Sequence, residues 1–347
     1  MQVWATNSAG GYMYSDELSD RLRTAVQPLV RFRQFADAKL AKGLSKGDTF
    51  NWNVYSDVAT QGGELLEPYT DSAGAVDADA PNAMPVTNFS VTRGTATVTE
   101  YGNSVPFTSK LDNLSAHPVR EVIEKVLKND ASKALDSAAH AEFFSTPVVV
   151  KGTGTGSSAA ITKTYDGVPS NGADNVPMEK GHVKLVADEL AERNIPAYDG
   201  VNYVSVFRPR ALRRLKDDLE SIHQYTTEGW YVIMNGERGR YEGVRFVEQT
   251  HIPQPLVYDA STNTTGWKTA DATGARGRGY FFGSDTVIEA VTIPEEIRGK
   301  IPTDYGRSRG IAWYALLGYA IVHGSGTTEA TTRQTRILRW DSSYTSV

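Results

Sequence analysis

From Pro118 to Phe144 (PVREVIEKVLKNDASKALDSAAHAEFF) no residue interrupts a helix, and no other run of this sequence constrains the fold as much. At about 1.5 Å per residue the segment makes a rod of roughly 40 Å, more than twice the usual helix length. Val119, Val122, Ile123 and Val126, then Ala131, Ala134, Leu135 and Ala138, recur at helical spacing as one apolar stripe. Arg120, Glu121, Glu124, Lys125, Lys128, Lys133 and Asp136 fall on the other faces. A rod this long needs something to lie along. The small residues Ala131, Ala134, Ala138, Ala139 and Ala141 let a neighbouring element pack closely, and a sheet of the same subunit is the expected partner.

The segments ahead of the rod have no obvious core of their own. Leu18, Leu22, Val26 and Leu29 predict a helix capped by Ser15 or Asp16, with Pro28 breaking its regularity. A second short helical pattern runs through Phe32, Phe35, Ala36 and Leu40 and ends at Gly43. Residues 1–47 carry seven Lys and Arg against four acids. Phe50, Trp52 and Val54 alternate as a half-buried strand, and Val91 to Thr99 is the β-branched return. Between Asp48 and Thr92 there are seven acids and no Lys or Arg. Such a one-sign block is either a solvated loop or an arm that docks on a basic surface of another copy.

Beyond the rod, residues 151–180 are rich in Gly, Ser, Thr and Asn and read as a long loop or a weak hairpin. A helix from Gly181 to Asn194, the strand YVSVF (203–207) and a helix opened by Pro209 and running to Leu219 outline a compact α/β lobe. Further strands are expected at Val244–Gln249, Gly279–Phe282, Val287–Val291 and Thr335–Trp340. The most apolar run, Ile311 to Val322, is too short to span a bilayer and reads as a buried strand or core helix.

The search for chemistry finds no catalytic constellation. The chain has no cysteine, which excludes disulfides, thiolate nucleophiles and Cys-ligated zinc. Gly43–Gly47 matches G-x-S-x-G, but a nucleophile elbow needs a strand before it and a helix after it, and the pattern here is the reverse. The glycine-rich 152–158 stretch lacks the lysine of a phosphate loop and reads as a flexible loop. The six histidines are scattered, with no pair at ligand spacing. Asp166, Asn171, Asp174 and Asn175 lack the calcium-loop pattern. The sequons at Asn88, Asn113 and Asn263 are chance matches. No cofactor is expected. Net charge is −5, which argues against bulk attraction to nucleic acid or an anionic membrane. The first residues have no basic or apolar leader, so residence in a cytosol is expected. Locally basic positions at Arg276, Arg278, Arg298, Lys300, Arg307 and Arg309 are either solvated or face a partner chain or packed nucleic acid.

The order of elements, together with Thr99-Glu100-Tyr101-Gly102-Asn103 before Pro106-Phe107 and the run Gly239 to Glu248, resembles the HK97-type major capsid proteins of tailed bacteriophages, in particular the N4-like group. The resemblance implies an α+β fold and a structural role without enzymatic activity. Residues 1–47 would be the N-terminal arm and 48–107 the extended hairpin called the E-loop. Residues 108–180 would hold the spine helix and peripheral domain, 181–310 the axial domain and 311–347 a C-terminal return segment. Copies would close into pentamers and hexamers of an icosahedral shell around double-stranded DNA in the virion, assembled in the host bacterial cytoplasm. A portal, a separate scaffolding protein and a decoration protein are implied partners; a membrane is not. No Lys and Asn pair matches the covalent cross-link of some relatives.

Charge complementarity makes Glu64, Glu67, Asp71, Asp77 and Asp79 candidates to face Arg21, Arg23, Arg31 or Arg33 of an adjacent subunit. Two alternatives compete. One is a nanocompartment shell or another virion component of the same fold. The other is a small-molecule-binding α/β protein with a pocket near Tyr203, Phe207, Trp230 and Tyr231.

Overall fold

The computed structural model describes residues 31–40, 49–55, 89, 91–115, 117–168, 176–223, 239–251, 256–259, 264–267, 276–324, 326–329 and 331–343. The rod is present as a single helix, Val119–Phe144, preceded by a short helix, Ser109–Leu114; we call these α2 and α1. The Thr108 hydroxyl caps α1 by accepting the Leu111 N–H at 3.4 Å.

Two sheets flank α2. The first has four strands in the order β1 (Asp37–Leu40), β13 (Val287–Gly299), β14 (Ser308–Ile321) and β4 (Thr99–Thr108). β1 adds parallel to β13, and the long β13–β14–β4 meander is antiparallel. The second sheet has seven strands. Its order is β6 (Ala160–Thr164), β5 (Val149–Thr153), β15 (Ile337–Ser343), β12 (Arg276–Phe282), β7 (Tyr203–Phe207), β9 (Val244–Glu248) and β8 (Arg240–Tyr241). Helices α3 (Lys180–Glu192) and α4 (Arg213–His223) pack on this second sheet, where Val183, Val186, Leu190, Leu212 and Leu215 join Phe281 and Trp340 in one core. Two hairpins stand apart: β2 (Thr49–Tyr55) with β3 (Val91–Thr97), and β10 (Leu256–Asp259) with β11 (Thr264–Trp267).

The buried line of α2 runs Val119, Ile123, Leu127, Ala131, Leu135, Ala139 and Phe143, a step of four residues throughout. A step of four overshoots a 3.6-residue turn by about 40°, so the buried face rotates along the rod. Its first half packs on Phe107, Trp313 and Ala315 of the first sheet; its last turns reach Tyr280 and Phe282 of the second. The stripe expected from the sequence therefore drifts. Val126 is 55 % exposed, and Asp136, read on a polar face, is buried. Covering both sheets with one helix gives a core in which each deleted methylene is felt.

Other expectations hold with shifted bounds. The glycine-rich 151–180 segment begins as the β5–β6 hairpin. The helix expected from Pro209 starts at Arg213, and residues 311–322 form a strand rather than a helix. One expectation fails in kind. The helical pattern from Phe32 to Leu40 is a 3-10 turn, Arg33–Phe35, followed by strand β1. The G-x-S-x-G run thus lies between two strands, so the reason given for setting the elbow aside changes on one side; the missing helix after it remains. That run itself, the helix at 18–29, Asn88, Asn171, Asp174, Asn175 and Asn263 lie outside the described residues.

Candidate assembly surfaces

Three surfaces carry the features expected of a chain that meets other copies: the arm junction at 31–40, the β2–β3 hairpin, and the tip of β13–β14. The arm junction is built on Phe32. Its ring is fully buried among His140, Phe143 and Tyr280, with centroids 4.8, 5.4 and 5.4 Å away. The Phe32 and Arg33 backbone N–H groups donate to Asp136 Oδ1 at 2.7 and 3.3 Å. Gln249 Nε2 donates to Asp136 Oδ2 at 2.6 Å, and His251 Nδ1 lies 3.3 Å from the same oxygen. One carboxylate on the rod thus ties the incoming arm to the end of β9. A buried acid with several donors is satisfied; without them it would be costly.

Arg33 completes the junction. Its Nε donates to Glu289 at 3.0 Å, and its terminal nitrogens form a fork with both Glu295 oxygens at 2.8 and 2.9 Å. The hydrogen bonds to Glu295 raise the guanidinium above its ordinary value and lower the Glu295 carboxyl. Arg33, a candidate for pairing with another subunit, is thereby engaged by carboxylates of its own chain. Arg31, next to Phe32 in the chain, is half-buried and also makes contacts of its own. Arg21, Arg23, Glu64, Glu67, Asp71, Asp77 and Asp79 lie outside the described residues.

The hairpin alternates as the sequence predicted. Phe50, Trp52 and Val54 are half-buried, whereas Thr49, Asn51, Asn53 and Tyr55 are exposed. At its far described end Tyr55 pairs with Val91 across the strands; Tyr55 is 77 % exposed and Phe89 and Val91 more than half. An apolar cluster therefore flanks the acidic block, a feature the charge argument passed over.

The third surface also escaped the sequence reading. Between β13 and β14 the chain turns through Asp304, Tyr305 and Gly306, all with positive φ (54°, 52° and 86°). Non-glycine residues hold that conformation at a cost of roughly 1–2 kcal/mol each. The turn is held by the Arg307 N–H to Asp304 carbonyl bond (2.9 Å) and the Thr303–Ser308 bridge. At this tip Tyr305 is fully exposed and Ile301 84 % exposed. Positive φ at two bulky or charged positions leaves no trace in hydropathy, so only the structure shows it.

The remaining candidates resolve into structural roles. Phe207 is fully buried, and the Tyr203 hydroxyl donates to the Ile195 carbonyl at 3.0 Å. Phe207 thus offers no exposed surface to the pocket of the small-molecule alternative; Trp230 and Tyr231 lie outside the described residues. A cleft of about 350 Å³ lies elsewhere, between α2 and β13, over Ala131, Leu135, Ile297 and Trp313. At the glycine-rich hairpin the Gly156 N–H donates to Glu179 Oε2 at 2.8 Å, so an acid holds the position an anion would need. Arg309 and Arg120 both bind Asp112 Oδ2, at 3.0 and 2.8 Å, and Arg278 stacks on Phe144 at 4.6 Å. Arg298 stacks on Tyr314 at 4.0 Å. Among the described residues no group of three or more His, Asp or Glu could hold a metal ion, and no helix is long and apolar enough to cross a membrane.

No protein-family profile matches the chain, and no curated protein matches its sequence. Its structure, in contrast, is similar to those of many solved chains. The capsid of Ralstonia phage GP4 aligns with a TM-score of 0.62 and 12 % identity, over 100 % of this chain and 99 % of that one. The head of Helicobacter pylori bacteriophage KHP40 aligns at 0.63 and 11 %, over 96 % of each chain. The capsid of cyanophage Pam1 aligns at 0.61 and 16 %, over 98 % and 99 %. The α+β fold expected from the sequence is the one the chain adopts, and over nearly its whole length it is the fold of phage capsid proteins.

Proposed function

We propose that this chain is a major capsid protein of a tailed, double-stranded DNA phage, of the HK97 type and nearest the N4-like group. The observation that carries the reading is whole-chain correspondence: the similarity to phage capsid structures covers 94 to 100 % of this chain, arm, hairpin, rod and both sheets included. In this reading copies form pentamers and hexamers of an icosahedral shell. A portal, a separate scaffolding protein and a decoration protein are candidate partners, and packaged DNA meets the inner wall only weakly because the chain is net acidic.

The proposed divisions are those of the resemblance, and the sheets run across some of them. Residues 1–47 form the arm and 48–107 the E-loop, whose base is β2–β3. The division at 310 falls inside β14. Since β13 pairs with β14 and β14 with β4, residues 287–321 share a sheet with the strand that closes the proposed E-loop range. The acidic residues Glu64, Glu67, Asp71, Asp77 and Asp79 are proposed to face Arg21, Arg23, Arg31 or Arg33 of a second copy; Arg33 also binds Glu289 and Glu295 of its own chain.

A shell suits this distribution. Many moderate contacts, each reversible, add through closed symmetry, and complementary charge sets register more than affinity. The test is negative-stain electron microscopy of the purified chain at low and high salt, with and without the scaffolding protein from its own phage. Shells, tubes or capsomer rings are expected. A persistent monomer in every condition, scaffold included, would overturn the reading.

A further inference from the structure

The β2–β3 hairpin meets the body at a joint on β14. β3 ends at Thr97 and β4 begins at Thr99, so Val98 alone joins the hairpin to the first sheet. There the chain crosses directly over β14. A methyl group on Gly318 would collide with the Thr97 carbonyl oxygen, and would lie 2.8 Å from the Thr97 carbonyl carbon and 3.1 Å from Val98 Cα. On the hairpin side, the Trp52 indole lies flat across Gly94, its cross-strand partner. Its Nε1–H donates to the Val322 carbonyl, just past the end of β14, at 3.5 Å. Ala96, next to the joint, is buried.

We infer that Gly318 is the seat of this joint and sets the direction in which the hairpin leaves the subunit. The inference rests on the reading of the hairpin as an arm that meets a second copy. Its physical basis is that the crossing is backbone on backbone. No rotamer change relieves it, so any side chain at 318 must push Thr97 and Val98 away. The lever is long. Seven residues of strand span about 23 Å, and strands lie about 4.8 Å apart. A 1 Å lift at the base therefore tilts the hairpin by roughly 12° and moves Tyr55 and Val91 by about 5 Å. That is enough to separate an apolar cluster from a complementary surface, since close packing tolerates far smaller gaps.

The test uses Gly318→Ala in the full chain, with Gly94→Ala as a second variant that lifts Trp52 from the opposite side. Hydrogen exchange on the unassembled subunit is the first readout. Residues 49–55 and 91–97 should exchange at least tenfold faster in each variant, while 203–207 and 276–282 stay as protected as in the parent. Unchanged protection of the hairpin in both variants would overturn the seat, and if Gly318→Ala does not fold, the Gly94→Ala result decides alone. Electron microscopy under conditions where the parent closes shells is the second readout. Open or misshapen particles are expected from the variants. Shells of parental diameter would overturn the directional role even if exchange had changed. A parent that forms no shell counts against the capsid reading, and the exchange data still judge the seat.

Discussion

His140 gives the sharpest prediction, because its position fixes both the sign and the size of an acid effect. It lies on the last turns of α2, 5 % exposed, with Phe32 packed on its ring and Tyr280 Oη 2.7 Å from Nε2. Burial, reinforced by the charges of Arg278, His251 and Arg339, pushes its pKa from 6.5 down to about 3. The ring is therefore neutral in the native protein, and protonating it would place a charge in this buried site beside the Tyr280 hydroxyl. In the unfolded chain the ring titrates near 6.5. Above that pH neither state binds the proton and the residue has no effect. As pH falls below 6.5 only the unfolded state is protonated, so stability is lost progressively until about pH 3. One proton corresponds to about 1.4 kcal/mol per pH unit, hence a total on the order of 5 kcal/mol across the window. That is comparable with the whole stability of many domains.

The variant is His140→Gln, whose amide can hydrogen-bond Tyr280 in either sense and does not titrate. Urea unfolding followed by tryptophan fluorescence at pH 7.0, 6.0, 5.0 and 4.5 gives the two slopes. All other groups cancel in the difference. The parent should lose about 1 kcal/mol or more per pH unit relative to the variant between pH 6 and 4.5, whatever the offset at pH 7. Parallel slopes would refute the reasoning and show that His140 takes up a proton in the folded state at its ordinary pH.

Further expectations concern the same junction and the exposed tip. Phe32→Ala should cost about 3–5 kcal/mol, because a fully buried ring leaves a cavity; urea midpoints check this, and a loss under 1 kcal/mol would mean the junction is not part of the core. Asp136→Ala strands the Phe32 and Arg33 amides and the Gln249 side chain; a loss of about 3 kcal/mol or more is expected, with protease cleavage appearing near residue 31. Tyr305→Gly should leave subunit stability unchanged or raise it by up to about 1 kcal/mol, since the side chain is exposed and φ is positive. If the tip meets other copies, the same variant should raise the concentration needed for assembly; a destabilised subunit would contradict the geometry.

Much of the framework was legible in the residues. The rod announced itself by length and spacing, and YVSVF and the β-branched return strand by composition. What stayed hidden depended on partners distant in the chain. Phe32, Phe35, Ala36 and Leu40 have helical spacing, yet residues 37–40 pair with β13 some 250 positions later, and that pairing overrides the local pattern. Asp136 looked solvated because its donors, at 32, 33, 249 and 251, are invisible to periodicity. Leu127 rather than Val126 faces inward because the helix serves two sheets in succession. The proposed charge pairing between copies would be a property of two chains, and one chain's sequence supplies only the complementary signs.

The rotating face of α2 also bears on the order of events during synthesis. The rod is made early, but its last turns pack on β12 and, through Ile337, on β15. β15 lies in the middle of the seven-stranded sheet, between β5 and β12. A ribosome-bound chain that has emerged only through β14 would lack Ile337 against the last turns of the rod and the strand that joins the β5–β6 hairpin to β12. Contacts this distant in sequence form late. A subunit with this topology becomes rigid, and so able to present its arm, hairpin and tip in fixed geometry, only after nearly all of it has been translated. In the proposed shell, partly made chains on neighbouring ribosomes would then lack the shape to nucleate assembly.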